Sequence, residues 1–175
     1  MKEKISVLLT EEEIKARIKQ LGEDISRDYA GKELILIGIL KGGVYFLTDL
    51  SRAIDDSVDV RLDFMQASSY GDEKCTSGVI RIMKDCDLDI KDKHVMVVED
   101  IIDSGRTLSR LLVVLGDRKP ASLRLCTLLD KPARREIEVD VDYVGFEIED
   151  KYVVGLGLDS AQQYRNLSYI GVVEE

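Results

Sequence analysis

The chain alternates between two hydrophobic periods, and each change of period predicts a new secondary-structure element. Thr10 and Glu13 have the spacing of a capping box, which predicts that a helix begins there. The residues that follow carry apolar side chains at helical spacing, and this pattern predicts one buried face. These residues are Ile14, Ile18, Leu21 and Ile25.

The segment after this helix is apolar at every position. Leu34 to Leu40 is rich in β-branched residues, which predicts a strand covered on both faces. The turn Lys41-Gly42-Gly43 ends the strand. Alternation over residues 58–64 predicts a strand with one face in water. The same reasoning predicts a helix over 44–54, a polar loop over 66–77 and a strand over 78–83.

The second half of the chain continues the alternation. It predicts a buried strand over 95–98 that ends at Glu99-Asp100, a helix that runs from Leu108 and stops at Gly116, and strands over 121–129, 141–148, 152–156 and 169–173. Strands that alternate with helices predict an α/β fold with a mainly parallel central sheet. Ligands in such folds bind beyond the carboxyl ends of the strands. Polar or glycine-rich turns follow three of these ends, at residues 40–43, 99–107 and 129–131.

Composition narrows the class of protein. The 175 residues suit a single domain, and the 45% share of hydrophobic residues is enough for a core that needs no disulfide or structural metal to fold. The net charge of −9 argues against electrostatic binding to nucleic acid or to an anionic membrane. The three cysteines form no CxxC pair, and the first residues lack the apolar core of a signal peptide, so we expect reduced thiols and a cytoplasmic location.

The most informative segment joins a predicted strand to a predicted helix. Glu99, Asp100 and Asp103 place three carboxylates within five residues, and they can hold hydroxyls or a hard divalent cation. The sequence Ser104-Gly105-Arg106-Thr107 follows at once and can bind a phosphate through a helix start, hydroxyls and a cation. A phosphorylated ribose would match the whole loop. The alternative is a capped helix whose acidic residues face water.

The residues from Glu99 to Thr107 resemble the phosphoribosyl-pyrophosphate motif of type I phosphoribosyltransferases. More narrowly, they resemble the hypoxanthine-guanine phosphoribosyltransferase family. The resemblance extends from about residue 5 to the end of the chain. It is carried by Leu40-Lys41-Gly42-Gly43, Ser69-Tyr70-Gly71, Leu128-Leu129-Asp130-Lys131, residues 144–148, residues 150–155 and Tyr164-Arg165-Asn166-Leu167.

The resemblance implies a fold and a reaction. The fold has a mainly parallel central sheet flanked by helices and a small hood built from the terminal segments. We expect one domain over 1–175, with a core at about 10–130 and a hood from about 1–9 and 131–175. The implied reaction joins hypoxanthine or guanine to 5-phosphoribosyl 1-pyrophosphate, gives IMP or GMP and releases pyrophosphate. It implies Mg²⁺ as cofactor and a homodimer or homotetramer.

The resemblance also assigns roles around the ribose. It makes Asp103 the acid/base residue that faces the purine ring nitrogen. Glu99 and Asp100 would hold the ribose hydroxyls, directly or through Mg²⁺, and Ser104, Gly105, Arg106 and Thr107 would bind the 5′-phosphate. The remaining implied contacts are Lys41, Gly42 and Arg165 to pyrophosphate, with a Leu40–Lys41 peptide that is cis in relatives.

On the purine side, the resemblance makes Lys131 a donor to the 6-oxygen, which adenine lacks. Tyr152 would stack on the base, and the backbone of Val153 would contact its edge. Asp159 would lie near the base and a second Mg²⁺, so the implied metal ligands are Glu99, Asp100 and Asp159. Ser69 and Tyr70 would belong to a lid that excludes water.

Three alternatives stay open at this point. Xanthine carries the same 6-oxygen, and Leu156 stands where relatives often have tyrosine, which leaves base preference open. A pyrimidine phosphoribosyltransferase is the second alternative. The third is a non-catalytic regulator that senses phosphoribosyl pyrophosphate, although the chain has no evident basic face for DNA.

Overall fold

The computed structural model describes residues 3–69 and 79–174 of the chain. Its elements in chain order are β1 (Lys4–Leu9), α1 (Glu11–Tyr29), β2 (Glu33–Ile39), α2 (Val44–Ala53), β3 (Asp59–Ser69), β4 (Ile80–Lys84), β5 (His94–Ile102), α3 (Arg106–Asp117), β6 (Ser122–Asp130), a 3₁₀ turn (Pro132–Arg134), β7 (Tyr143–Glu147), β8 (Val153–Val154) and β9 (Ile170–Glu174).

A six-stranded sheet forms the centre of the molecule. Its strand order is β4-β3-β2-β5-β6-β7, and every neighbouring pair is parallel except β3 with β4. The prediction of an α/β fold with a mainly parallel sheet is therefore confirmed. Parallel order places the carboxyl ends of β2, β5 and β6 along one edge, where the three polar turns of the sequence follow them.

Strand β2 is buried on both of its faces, as its apolar sequence predicts. Leu34 and Leu36 pack into the core that also contains the apolar faces of α1 and α2. Ile35 and Ile37 point the other way, into a second core with α3. Helices therefore cover both faces of the sheet, and its carboxyl edge is left to the polar turns that follow β2, β5 and β6.

Helix α1 begins where the capping box predicts. The backbone N–H of Glu13 donates to Thr10 Oγ1 at 3.2 Å, and the N–H of Thr10 donates to Glu13 Oε2 at 2.8 Å. Further along, a Cβ at Gly22 would lie 2.4 Å from the carbonyl oxygen of Ala53. Glycine at position 22 thus lets α1 pack closely on the last residue of α2.

A second sheet joins the two ends of the described chain. Its strand order is β1-β9-β8, and Lys4 pairs with Glu174 in the antiparallel ladder. The sequence predicted no strand over β1. The segment 131–175, expected to belong to the hood, also contributes β7 to the central sheet.

Two predictions around β3 are wrong. The polar loop expected from Gln66 begins later, because β3 continues to Ser69 and pairs with β4. The alternation over residues 58–64 also predicts that Leu62 is on the buried face and Asp63 on the face in water. Instead, Leu62 is 45% exposed, whereas Asp63 is buried and accepts backbone N–H groups from the segment after β4, including Leu88 at 2.8 Å. Tyr70 and the rest of the expected lid lie outside the described residues.

No helix in the described chain is long and apolar enough to cross a membrane.

Candidate active site

The carboxyl end of β5 and the start of α3 form the candidate site. Strand β5 continues beyond its apolar part, because Glu99 pairs with Thr127 and Ile102 pairs with Asp130 on β6. Glu99 and Asp100 therefore lie within the strand, and Asp103 follows directly after its last residue. A pocket of about 170 Å³ lies here, lined by Glu99 and by residues 101–108.

Gly105 shapes the start of α3. Its φ of +79° is in the left-handed region, and a Cβ there would lie 2.4 Å from the carbonyl oxygen of Ile137. Gly105, the residue before the helix, offers no side-chain cap. The N–H of Arg106 donates to Ser104 Oγ at 3.4 Å, and the N–H groups of Thr107 and Leu108 face no side-chain acceptor among the described residues. The first turn can therefore receive an anion, as the predicted 5′-phosphate contact requires. Arg106, at the first helical position, forms an ion pair with Glu136.

Glu99 and Asp100 are half-buried neighbours. Burial raises the pKa of Glu99 well above its usual value, and the charge of Asp100 raises it further. Burial also raises the pKa of Asp100, although the N–H of Ile101 opposes this by donating to Asp100 Oδ1 at 2.7 Å. The pair therefore favours a bound proton, cation or hydroxyl donor next to it.

The turn after β2 lies directly against this pair. The Leu40–Lys41 peptide is cis, as the resemblance implied. A Cβ at Gly42 would lie 1.7 Å from Asp100 Oδ2, and one at Gly157 would lie 1.9 Å from the carbonyl oxygen of Gly42. Three segments that are distant in sequence therefore meet at the acidic pair.

The two cations expected to bind pyrophosphate share one acceptor. Gln162 Oε1 accepts from Lys41 Nζ at 3.2 Å and from Arg165 Nη2 at 3.1 Å. Arg165 also donates to the carbonyl oxygen of Gly157 at 2.6 Å and pairs with Asp159 Oδ1 at 2.9 Å. Gln162 is not among the predicted site residues, because a glutamine in a polar loop carries no sequence pattern of its own.

Asp159 is already occupied by protein donors. Its Oδ1 pairs with Arg165, and its Oδ2 accepts the backbone N–H of Gln162 at 2.8 Å. The hydroxyl of Tyr152 donates to the carbonyl oxygen of Asp159 at 3.3 Å. Tyr152 is 56% exposed, so its ring is accessible to a planar ligand, whereas Val153 is buried in β8.

Lys131 and Asp103 follow neighbouring strands and are tied through the backbone. The N–H of Lys131 donates to the carbonyl oxygen of Ile102 at 3.0 Å, and the Lys131 side chain is buried. Asp103 Oδ1 accepts from Arg134 Nε at 3.3 Å. Arg135 donates from Nε to the backbone oxygen of Asp103 at 3.3 Å and pairs with the carboxylate of Asp130, so it fixes the turn that bears Asp103.

The residues at the site suit Mg²⁺ only together with a ligand. Within residues 3–69 and 79–174, no group of three or more acidic, histidine or cysteine side chains is placed to hold a metal ion. Mg²⁺ commonly binds one or two carboxylates and completes its shell with substrate phosphates and water. The half-buried pair of Glu99 and Asp100 offers such carboxylates close to the start of α3.

Comparison with known proteins agrees with this arrangement. A family model described as phosphoribosyl transferase domain matches residues 5–161. A hypoxanthine phosphoribosyltransferase from Salmonella typhimurium is 51% identical over 99% of this chain and 97% of its own. A hypoxanthine-guanine phosphoribosyltransferase from Mycobacterium avium is 51% identical over 97% of this chain and 85% of its own. A crystal structure of a hypoxanthine-guanine phosphoribosyltransferase from Bacillus anthracis superimposes with a TM-score of 0.92 at 45% identity, covering 99% of this chain and 100% of that one.

Proposed function

The chain belongs to the phosphoribosyltransferase family, and we propose that it is the member that salvages 6-oxopurines. It joins hypoxanthine or guanine to 5-phosphoribosyl 1-pyrophosphate, forms IMP or GMP and releases pyrophosphate. The names and full-length similarity of its relatives support these substrates.

One structural observation carries the proposal. The acidic pair Glu99-Asp100 lies in contact with the Gly42 turn on one side and continues into the phosphate-binding start of α3 on the other. A ligand spanning these features must present phosphate at one end, hydroxyls in the middle and a second phosphate group at the other end. Phosphoribosyl pyrophosphate has this order of groups.

The proposed roles of the phosphate-side residues follow from their positions. The backbone and side chains of Ser104, Gly105, Arg106 and Thr107 bind the 5′-phosphate. Lys41, Gly42 and Arg165 bind pyrophosphate, with the two cations exchanging Gln162 Oε1 for a phosphate oxygen. Such an exchange keeps both cations satisfied in the free and bound protein.

Glu99 and Asp100 would hold Mg²⁺ together with substrate oxygens, and the ion would neutralise charge on the pyrophosphate leaving group. The carboxylates also hold the ribose hydroxyls and so fix the sugar between its two phosphate groups. Asp159 as a further metal ligand must first release Arg165 or the N–H of Gln162. The two carboxylates on β5 are therefore the stronger candidates.

On the purine side, Asp103 lies at the end of the same strand as the ribose ligands. Its carboxylate accepts the proton of the purine ring nitrogen as that nitrogen attacks the anomeric carbon, and its charge stabilises the cationic sugar. Lys131 donates to the 6-oxygen, and an amino group at that position would face it with a second donor. Tyr152 stacks on the base, and the backbone of Val153 contacts its edge.

Other expectations remain part of the proposal. Ser69 and Tyr70 serve as a lid, the protein works in the cytoplasm, and it forms a homodimer or homotetramer. Xanthine is the second candidate base, because it shares the 6-oxygen that Lys131 would contact. For the non-catalytic regulator and the pyrimidine phosphoribosyltransferase, the described residues offer no comparable specific contact.

The test is a panel of bases with phosphoribosyl pyrophosphate and Mg²⁺, followed by pyrophosphate release. We expect turnover of hypoxanthine or guanine and none of adenine or uracil. Turnover of xanthine or uracil alone would overturn the specificity. Binding of phosphoribosyl pyrophosphate without turnover of any base would support the regulator instead.

A further inference from the structure

Four charged side chains alternate in sign between the two groups that we place around the purine. Lys131 Nζ lies 3.9 Å from Asp150 Oδ1, and Asp150 Oδ2 lies 3.8 Å from Arg134 Nη1. Arg134 Nε in turn donates to Asp103 Oδ1 at 3.3 Å. We call this set of four side chains the charge row.

At one end of the charge row, Lys131 depends on Asp150. The Lys131 residue is 7% exposed, so its ammonium group has little water around it. In the described part of the chain, Asp150 is the one carboxylate within ion-pair distance of Lys131. Asp150 stands just after β7, so it comes from a different element than the lysine it faces. The Asp150 carboxylate therefore limits the directions in which the Lys131 ammonium group can point.

At the other end, Arg134 sets the direction of the Asp103 carboxylate. The N–H of Arg134 donates to the carbonyl oxygen of Lys131 at 3.1 Å, which builds the 3₁₀ turn. This turn brings the guanidinium back to Asp103. Arg135 contacts only the backbone oxygen of Asp103, so it does not replace this side-chain contact.

We propose that Arg134 and Asp150 are positioning residues for the transfer reaction, with Asp150 directing Lys131 at the base and Arg134 directing Asp103 at the ring nitrogen. The inference rests on the proposed function. Neither residue touches the substrates, and each acts through its partner in the charge row. Because the two ends serve binding and chemistry separately, the two residues affect different kinetic constants.

The experiment compares Asp150→Asn with Arg134→Ala in steady-state assays with hypoxanthine. Asp150, Arg134 and Asp103 are about half exposed, and loss of an ion pair with a partner this exposed corresponds to an effect of about fivefold. We expect Asp150→Asn to raise the KM for hypoxanthine about fivefold with a smaller change in kcat. We expect Arg134→Ala to lower kcat about fivefold with little change in that KM. The KM for phosphoribosyl pyrophosphate should stay unchanged in both variants.

A conservative variant and a matched pair of controls separate positioning from folding. Arg134→Lys keeps a cation near Asp103 and should recover part of kcat, whereas Arg134→Gln should not. Asp49→Asn and Arg52→Ala break a largely exposed ion pair of 2.9 Å on α2, and we expect wild-type kinetics from both.

The outcomes are distinct. If wild-type protein turns over neither hypoxanthine nor guanine, the proposed function itself fails. If wild-type protein is active but both variants match the α2 controls, the positioning roles are wrong. Equal loss of kcat in both variants, with lower melting temperatures and unchanged KM, would also overturn the inference, because it would indicate a purely structural role.

Discussion

The carboxylate of Asp100 occupies the space that a side chain at Gly42 would need. A Cβ at position 42 would lie 1.7 Å from Asp100 Oδ2, far closer than van der Waals contact. Gly42 is also enclosed from its other side, because a Cβ at Gly157 would lie 1.9 Å from the Gly42 carbonyl oxygen. The proposed pyrophosphate turn and the proposed ribose ligands thus fix each other's position.

Gly42→Ala should therefore displace Asp100 or the turn itself. We expect kcat/KM for phosphoribosyl pyrophosphate to fall about 100-fold, because misplacement by about 1 Å at a reacting centre has effects of this size. Steady-state kinetics with varied phosphoribosyl pyrophosphate measure it. Gly116→Ala is the control: a Cβ there meets nothing within 4 Å, and alanine suits a helix better than glycine does. Wild-type kinetics for Gly42→Ala would show that the contact has no role in the reaction.

Local patterns predict the parts of this fold that local forces determine. The capping box at Thr10 and the apolar run of β2 need only neighbours in sequence, and both were correct. Strand β1 was missed because its stability comes from pairing with β9 at the other end of the chain. The end of β3 was missed for a similar reason, since Ser69 remains in the strand through its ladder with β4.

The candidate site divides in the same way. The motif from Glu99 to Thr107 is contiguous, so its residue types alone indicate phosphate and hydroxyl binding. Gln162 and Asp150 lie in irregular segments and Arg134 ends a short 3₁₀ turn, and their contacts exist only after the chain has folded. No periodicity or motif distinguishes these residues from ordinary surface side chains.

Asp103→Asn should slow the reaction without weakening the sugar site. The amide cannot accept a proton from the purine nitrogen, and loss of a general base commonly lowers rates by about 10²–10⁴-fold. We expect kcat to fall in this range and the Kd for phosphoribosyl pyrophosphate, measured by calorimetry, to change little. Asp117→Asn, at the exposed end of α3, is the control. A near-normal rate for Asp103→Asn would show that another group transfers the proton.

Mg²⁺ should bind the free protein weakly and the protein with phosphoribosyl pyrophosphate more strongly. The described residues hold no cluster of three metal-binding side chains, so the ligand must supply further oxygens. Calorimetric titration with Mg²⁺, with and without phosphoribosyl pyrophosphate, measures the difference. We also expect a chelator to abolish turnover and added Mg²⁺ to restore it. Equal and tight Mg²⁺ binding in both titrations would contradict a site shared with the substrate.

The acidic pair should make the free protein less stable as pH rises. Burial raises the pKa of Glu99 well above its usual 4.5, so the folded chain binds this proton more tightly than the unfolded chain does. When folding binds an extra proton, the free energy of unfolding falls with increasing pH. This loss begins above the unfolded pKa and continues until the pH passes the raised folded pKa.

Glu99→Gln removes the titrating carboxyl group, so the variant should not show the loss of stability that this group causes as pH rises. At pH 8, without Mg²⁺ or substrate, we expect the variant to melt a few degrees above wild type, since about 1 kcal/mol moves the midpoint of a domain this size by roughly 2–4 °C. Near pH 4.5, where the unfolded carboxyl is half protonated, the difference should largely disappear. Thermal melts across this pH range give the result, with exposed Glu138→Gln as the matched control. A variant that is less stable than wild type at every pH would mean that the Glu99 carboxylate stabilises the free fold. The acidic pair would then no longer explain why a cation is needed there.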